Sequence, residues 1–283
     1  MNIGQLSINQ ATTETSSTAE LILACHEAGI HSVGLWRHKY IDNDVLRTRR
    51  LLDDHEVGVS SLCRGGFFTG TRSERECITD NQRVIEEATV LGAPVIILVC
   101  GPVLSDGFRA AEAAISRGIE RMLPTARDAD VTLAIEPFHP MFLAERSAIT
   151  TLSQANQLVE KFADPALGIA LDTYHVWWDP TLTEELDRAK GRISILQVAD
   201  WLVPTPEILR SRGLPGDGVI PLRSLLGMVE ATGFNGQIEV EVLNPTIWAR
   251  PVSSLVPEVK DRMLQLFHDA TTGGQDVDPL VRI

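Results

Sequence analysis

Eight short apolar runs recur along the chain, and each is followed by a segment carrying helix signals. The runs are Ile3 to Ile8, Ser32 to Trp36, Val57 to Cys63, Pro94 to Cys100, Val131 to Ile135, Leu167 to Leu171, Ile193 to Val198 and Gln237 to Leu243. Runs this short, with no helical period, read as buried strands. Between them, Ser17 with Glu20, Ser73 with Glu76 and Thr181 with Glu184 have the spacing of capping boxes, and Gly29, Gly92 and Gly191 mark helix ends. Further helices are expected from about Asp42 to His55, Gly107 to Asp130, Thr151 to Phe162, Pro221 to Thr232 and Pro257 to His268. Strict strand–helix alternation implies a parallel sheet with right-handed crossovers, and eight strands is the number that closes a barrel. A chain of 283 residues matches a single-domain (β/α)8 TIM barrel with a C-terminal helix. A doubly wound open sheet would carry a glycine-rich loop after its first strand; Asn9-Gln10-Ala11-Thr12-Thr13 stands there instead. No linker or composition break divides residues 1–283, and a loose tail is expected over 269–283.

The balance of charge narrows the partners. A net charge of −13 disfavours nucleic acid and anionic membranes. No apolar run reaches the roughly 18 residues of a membrane span. No basic segment precedes an apolar stretch in Met1 to Asn9, so no signal peptide is expected. Cys25, Cys63, Cys77 and Cys100 lack paired spacing, which fits a reducing cytoplasm better than a disulfide framework or zinc site.

In Val131-Thr132-Leu133-Ala134-Ile135-Glu136-Pro137-Phe138-His139-Pro140, an apolar strand runs into a carboxylate and stops at a proline that cannot donate to a ladder. The C-terminal ends of parallel barrel strands are where such folds keep their chemistry. Asp172, Gln197 and Glu241 end the next three strands. Neighbouring strands lie about 4.8 Å apart, so four such ends bring these groups around one point. Converging carboxylates do not stay ionised without a positive charge between them, and an all-oxygen donor set suits Mn²⁺ or Mg²⁺ better than zinc. Any one of them alone would more often be a helix cap or an arginine partner. Glu239 faces the same side as Glu241 by the two-residue period but lies deeper, so Glu241 is taken as the ligand.

The runs Ile135-Glu136-Pro137-Phe138-His139-Pro140, Leu171-Asp172-Thr173-Tyr174-His175-Val176-Trp177-Trp178-Asp179-Pro180 and Ile238-Glu239-Val240-Glu241-Val242 resemble the sugar isomerase/epimerase group of xylose-isomerase-like TIM barrels. Ser61-Leu62-Cys63-Arg64-Gly65-Gly66 and Gly216-Asp217-Gly218-Val219-Ile220 are similar to segments of that group, and the likeness spans the whole chain. The resemblance implies a divalent cation, Mn²⁺ foremost with Mg²⁺ or Co²⁺ as alternatives, held by Glu136, Asp172, position 197 and Glu241. It also implies that Glu136 and Glu241 move protons on opposite faces of a sugar carbon. Gln197 departs from the pattern, since many members carry histidine there. By the same resemblance His175 contacts substrate hydroxyls, against an equally weighted structural role.

Several readings follow. The first is a metal-dependent enzyme that abstracts a proton next to a sugar carbonyl, giving isomerisation or epimerisation. The second is β-elimination from a 3-oxo-glycoside with His139 as general base, since a histidine beside the site can serve near neutral pH and a two-glutamate epimerase does not need it. Some relatives of that kind work with a small accessory subunit. A non-catalytic sugar-binding barrel is the third. A DNA-cleaving relative would need a basic face, and a Schiff-base aldolase would need a lysine at a strand end; the four lysines lie elsewhere. Arg64 could grip an anionic group or only salt-bridge a barrel carboxylate. Trp36 and Trp201 could stack on sugar faces or anchor loops and a subunit contact, and an oligomer is expected.

Overall fold

Eight parallel strands close into a barrel in sequence order: β1 (Leu6–Asn9), β2 (Ser32–Trp36), β3 (Gly58–Gly66), β4 (Val95–Val99), β5 (Thr132–Ile135), β6 (Leu167–Asp172), β7 (Ile193–Val198) and β8 (Gln237–Val240), with β8 pairing back onto β1. The computed structural model describes residues 1–40 and 44–272, with side chains through His268. Around the barrel lie α1 (Thr18–Ala28), α2 (Val45–Asp54), α3 (Glu74–Leu91), α4 (Phe108–Asp128), α5 (Leu152–Phe162), α6 (Leu182–Arg188), α7 (Leu222–Ala231) and α8 (Val252–Thr272). The chain is a (β/α)8 TIM barrel.

Local chemistry sets most helix ends. Ser17 and Ser73 each accept from the third helical amide, while Glu20 and Glu76 reach back to the cap backbone; Gly29 and Gly92 close those helices in the left-handed region. Thr181 does not cap α6: its hydroxyl and amide both bond Asp179 Oδ1, which takes the donors a capping box would use. Helix α8 starts at Val252 rather than Pro257, so the proline lies one turn inside and leaves one early carbonyl without its ladder donor. Ile3–Gln5 is a 3₁₀ turn ahead of β1. The expected start of α2 at Asp42 and the tail beyond Thr272 lie outside the described residues.

The two-residue period of each strand sorts side chains between two cores. Leu133 and Ile135 of β5 and Ile169 and Leu171 of β6 face outward, against the buried faces of α4 and α5. Ala134, Ala170 and Ile195 fill the barrel with Cys63, Val95 and Ile97. Glu136, Asp172 and Gln197 continue the inward set, two residues on from Ala134, Ala170 and Ile195. In register, Asp172, Gln197 and Glu239 form one level, and Glu241 stands one layer nearer the mouth. The four candidate ligands are therefore not level, as the strand ends alone suggest.

Glu239 is fully buried and closed by four donors. Ser60 and Ser61 hydroxyls each lie 2.6 Å from Oε1, and Asn9 Nδ2 and Gln197 Nε2 lie 2.8 and 3.1 Å from Oε2. Gly34 of β2 makes room for it: a Cβ there would sit 2.5 Å from Glu239 Oε1 and 2.9 Å from Asn9 Nδ2. Gly34→Ala should therefore destabilise the protein by about 1–3 kcal/mol, the usual cost of forcing a methyl into a packed interior. Urea denaturation checks this, and a midpoint equal to wild type would mean that the carboxylate has room to move.

Candidate active site

The barrel mouth opens into a cavity of 280 Å³ whose floor carries Glu136, Glu241 and Arg212. Glu136 follows β5, its amide bonded to Leu98 of β4, and Glu241 follows β8, its amide bonded to Val198 of β7. Arg212 comes from the long β7–α7 connection, which folds into a two-residue ribbon pairing Trp201 with Arg212 and Asp200 with Gly213. Asp200 ties that loop down by accepting from the amides of Gly216, Gly218 and Ile220. The Gly216-Asp217-Gly218 run thus serves to wrap a carboxylate.

Arg212 is buried and lies among the carboxylates. Its Nη1 donates to Asp172 Oδ2 at 2.9 Å and Glu241 Oε2 at 3.1 Å, and its Nη2 lies 3.2 Å from His175 Nε2. Neither the strand pattern nor any motif singled it out; it stands in an irregular loop, 15 residues past Gln197. His175 Nε2 is 3.7 Å from Glu136 and 3.6 Å from Asp172. Glu136, Asp172 and His175 all offer ligand atoms within 4.8 Å of one another. Gln197 turns its amide nitrogen toward Glu239 and Glu241, at 3.1 and 3.3 Å, and its buried Oε1 has no donor among the described residues. A flip would set that oxygen against two carboxylates, so Glu239 fixes the amide's orientation.

Four buried carboxylates, Glu136, Asp172, Glu239 and Glu241, share this interior with one buried guanidinium. Burial, then the charges of Glu241 and Asp172, pushes the Glu136 carboxyl well above the carboxylate range. Burial pushes Glu241 up to about 8 despite Arg212, and raises Asp172 as well. Burial, followed by the Arg212 charge, holds His175 well below its ordinary value, so it is neutral.

The other expected site residues divide. Trp36 and Arg64 line the cavity. Trp36 donates to Asn9 Oδ1 at 2.8 Å, and Arg64 lies over the rings of Trp36 and Phe67. His175 is buried and stacked on Phe138 with ring centroids 4.3 Å apart, beneath the cavity wall rather than at its surface. His139 and Trp201 are not among the cavity-lining residues. The His139 ring packs near Trp178 and Trp201 at 5.5 and 5.2 Å, and its Nδ1 accepts from the amide of Met141, capping a 3₁₀ turn. Trp201 stacks on Tyr174 at 4.6 Å. Arg146, Arg210 and Trp248 line the cavity without a sequence signal to mark them.

A family model described as xylose isomerase-like TIM barrel matches residues 22–261. The chain belongs to that family. The chain is similar to the crystal structure of protein SMc04130 from Sinorhizobium meliloti 1021, 37% identical, with a TM-score of 0.87 over 94% of this chain and 99% of that one. A protein named inosose isomerase from Halalkalibacterium halodurans is 23% identical over 279 residues, 93% of this chain and 96% of that protein. A 3-dehydroshikimate dehydratase from Pseudomonas aeruginosa is 27% identical over 255 residues, 85% of this chain but only 38% of that protein.

A carboxyl whose folded pKa lies above its unfolded value binds its proton more tightly when folded. Stability is then highest at low pH and falls as pH rises from the unfolded value, near 4.5, to the folded one, about 8 for Glu241. In chelator-treated protein the melting temperature should drop between pH 5.5 and 8.5. A scanning-calorimetry profile that is flat or rising over that window would mean that Glu136 and Glu241 are already ionised.

Proposed function

We propose that the protein is a metal-dependent enzyme that moves a proton next to the carbonyl of a small sugar or related polyhydroxy ketone, as an isomerase or epimerase. The observation that carries this reading is the pair Glu136 and Glu241. They reach one cavity from strands separated by two others, and each binds its proton more tightly than an ordinary carboxyl. With one ionised and the other protonated, the first takes a proton from the carbon beside the carbonyl. The second returns one either to the opposite face of that carbon, which epimerises it, or to the former carbonyl carbon while the adjacent hydroxyl proton passes to the former carbonyl oxygen, which isomerises the substrate. Arg212, on the cavity floor, faces oxygen that gains negative charge as the proton leaves. Trp36, Phe138 and Trp248 give the cavity aromatic walls.

The residues present fit a divalent cation. Four buried carboxylates to one guanidinium leave negative charge uncompensated, Glu136 accepts no hydrogen bond from a described residue, and the Gln197 oxygen has no donor. We read the ion as Mn²⁺ held by Glu136, Asp172, Gln197 and Glu241, because these donors are hard oxygens; of the four, Glu136 and Asp172 offer ligand atoms within 4.8 Å of each other and of a His175 nitrogen, a group that does not include Glu241. Bound there, it supplies Lewis-acid polarisation of a carbonyl or hydroxyl oxygen.

Isomerisation is preferred over elimination for two reasons. The chain spans nearly the whole of inosose isomerase but a minor part of the dehydratase. The His139 nitrogen that accepts from Met141 is occupied outside the cavity.

Elemental analysis should find one Mn²⁺-like ion per chain, lost in Asp172→Asn and Glu136→Gln; equal metal in those variants would remove the site. With ketoses in D₂O followed by NMR, Glu136→Gln and Glu241→Gln should abolish deuterium incorporation, while His139→Ala should lose less than tenfold. A ~10²–10⁴-fold loss in His139→Ala with metal retained would restore histidine as the base.

A further inference from the structure

The cavity that holds the glutamates is also lined by four arginines, Arg64, Arg146, Arg210 and Arg212, in a chain whose net charge is −13. Two have evident partners: Arg212 is bound by Asp172 and Glu241, and exposed Arg210 leans on Glu207 at 3.7 Å. Arg64 and Arg146 are half-buried and make no ion pair with any described residue. Arg37, which follows β2, shows what a structural arginine looks like in this fold: its guanidinium is held by both Glu87 and Asp80. Arg64 instead has its guanidinium carbon 4.8 Å from the Phe67 ring centroid and 5.6 Å from that of Trp36, so its charge is left for the cavity. The acidic Glu14 at the rim does not answer them, because it is paired with Lys39 and His38. Burial, then the neighbouring charge of Arg64, lowers the pKa of Arg146; Glu145 opposes this and Arg210 adds to it, so like charges on the cavity wall outweigh the nearby acid.

Holding two guanidiniums together, partly out of water, is unfavourable unless an anion joins them, and the planar guanidinium fork matches a carboxylate or phosphate. We propose that the substrate bears such an oxyanion, gripped by Arg64 and Arg146 with Arg210 at the rim, while its carbonyl end lies over Glu136 and Glu241. A volume of 280 Å³ suits a four- to six-carbon hydroxy compound with one anionic group. The inference rests on the proton-transfer reading for the orientation of the substrate, but the anion site stands on the arginines alone.

Calorimetric titration of the full-length, Mn²⁺-loaded protein tests it with three open-chain six-carbon probes: D-glucitol, D-gluconate and D-glucitol 6-phosphate. At least one anion should bind tenfold or more tightly than glucitol. Arg146→Gln and Arg64→Gln should each weaken that anion about tenfold and leave glucitol within twofold. A gain confined to gluconate identifies a carboxylate, and a gain confined to the phosphate ester identifies a phosphate. Glucitol binding as tightly as both anions, or anion affinity indifferent to both substitutions, would overturn the proposal. Arg146→Gln is the more decisive variant, because the charge of Arg64 also reaches Glu136. Deuterium exchange in Glu136→Gln is read separately: anion binding that needs the arginines, with exchange that does not need Glu136, would leave the anion site standing and sink the proton-transfer reading.

Discussion

Four carboxylates buried around one guanidinium set the terms for the rest of this barrel. Ionised acids in a low-dielectric interior are costly unless each is paired or hydrogen-bonded. The protein resolves this unequally. Glu239 is fully supplied with donors, Asp172 takes Arg212 and the Tyr174 amide, and Glu241 takes Arg212 and the Gln197 amide. Glu136, which borders the open cavity, accepts no hydrogen bond from a described residue, so the charge problem is concentrated at the cavity.

The supporting layers follow from that arrangement. Gly34 has no side chain because Glu239 occupies the space a Cβ would need. Asn9 couples Trp36 on the cavity wall to Glu239 beneath it, and Glu239 orients Gln197. Arg212 is carried in by a loop rather than a strand, and that loop holds its shape because Asp200 gathers three of its amides and Asn244 bonds the Arg212 carbonyl. A cavity floor built by strands and a guanidinium delivered by a clamped loop is the division of labour expected of this architecture.

Strand and helix order, the closing number of strands and the strand-end positions of Glu136, Asp172 and Gln197 are legible from residue patterns, because period and capping act over a few neighbouring positions. The exceptions were local competitions. Thr181 is held by Asp179 instead of capping its helix, and Pro257, a residue type suited to a helix start, lies a turn inside a helix that begins at Val252. Glu239 and Glu241 share a parity, and only the β6–β7–β8 register places the first level with Asp172 and the second at the mouth.

From the sequence alone, the chain was determined to be an α/β barrel with acids and an amide at successive strand ends. Tertiary structure decided what those groups face. Arg212, Arg146 and Arg210 reach the cavity from irregular loops, and His139 turns to a helix cap and two tryptophans, because loop paths depend on contacts between residues far apart in the chain. Periodicity records which side of an element is buried, but it carries no information about which distant side chain will be buried against it.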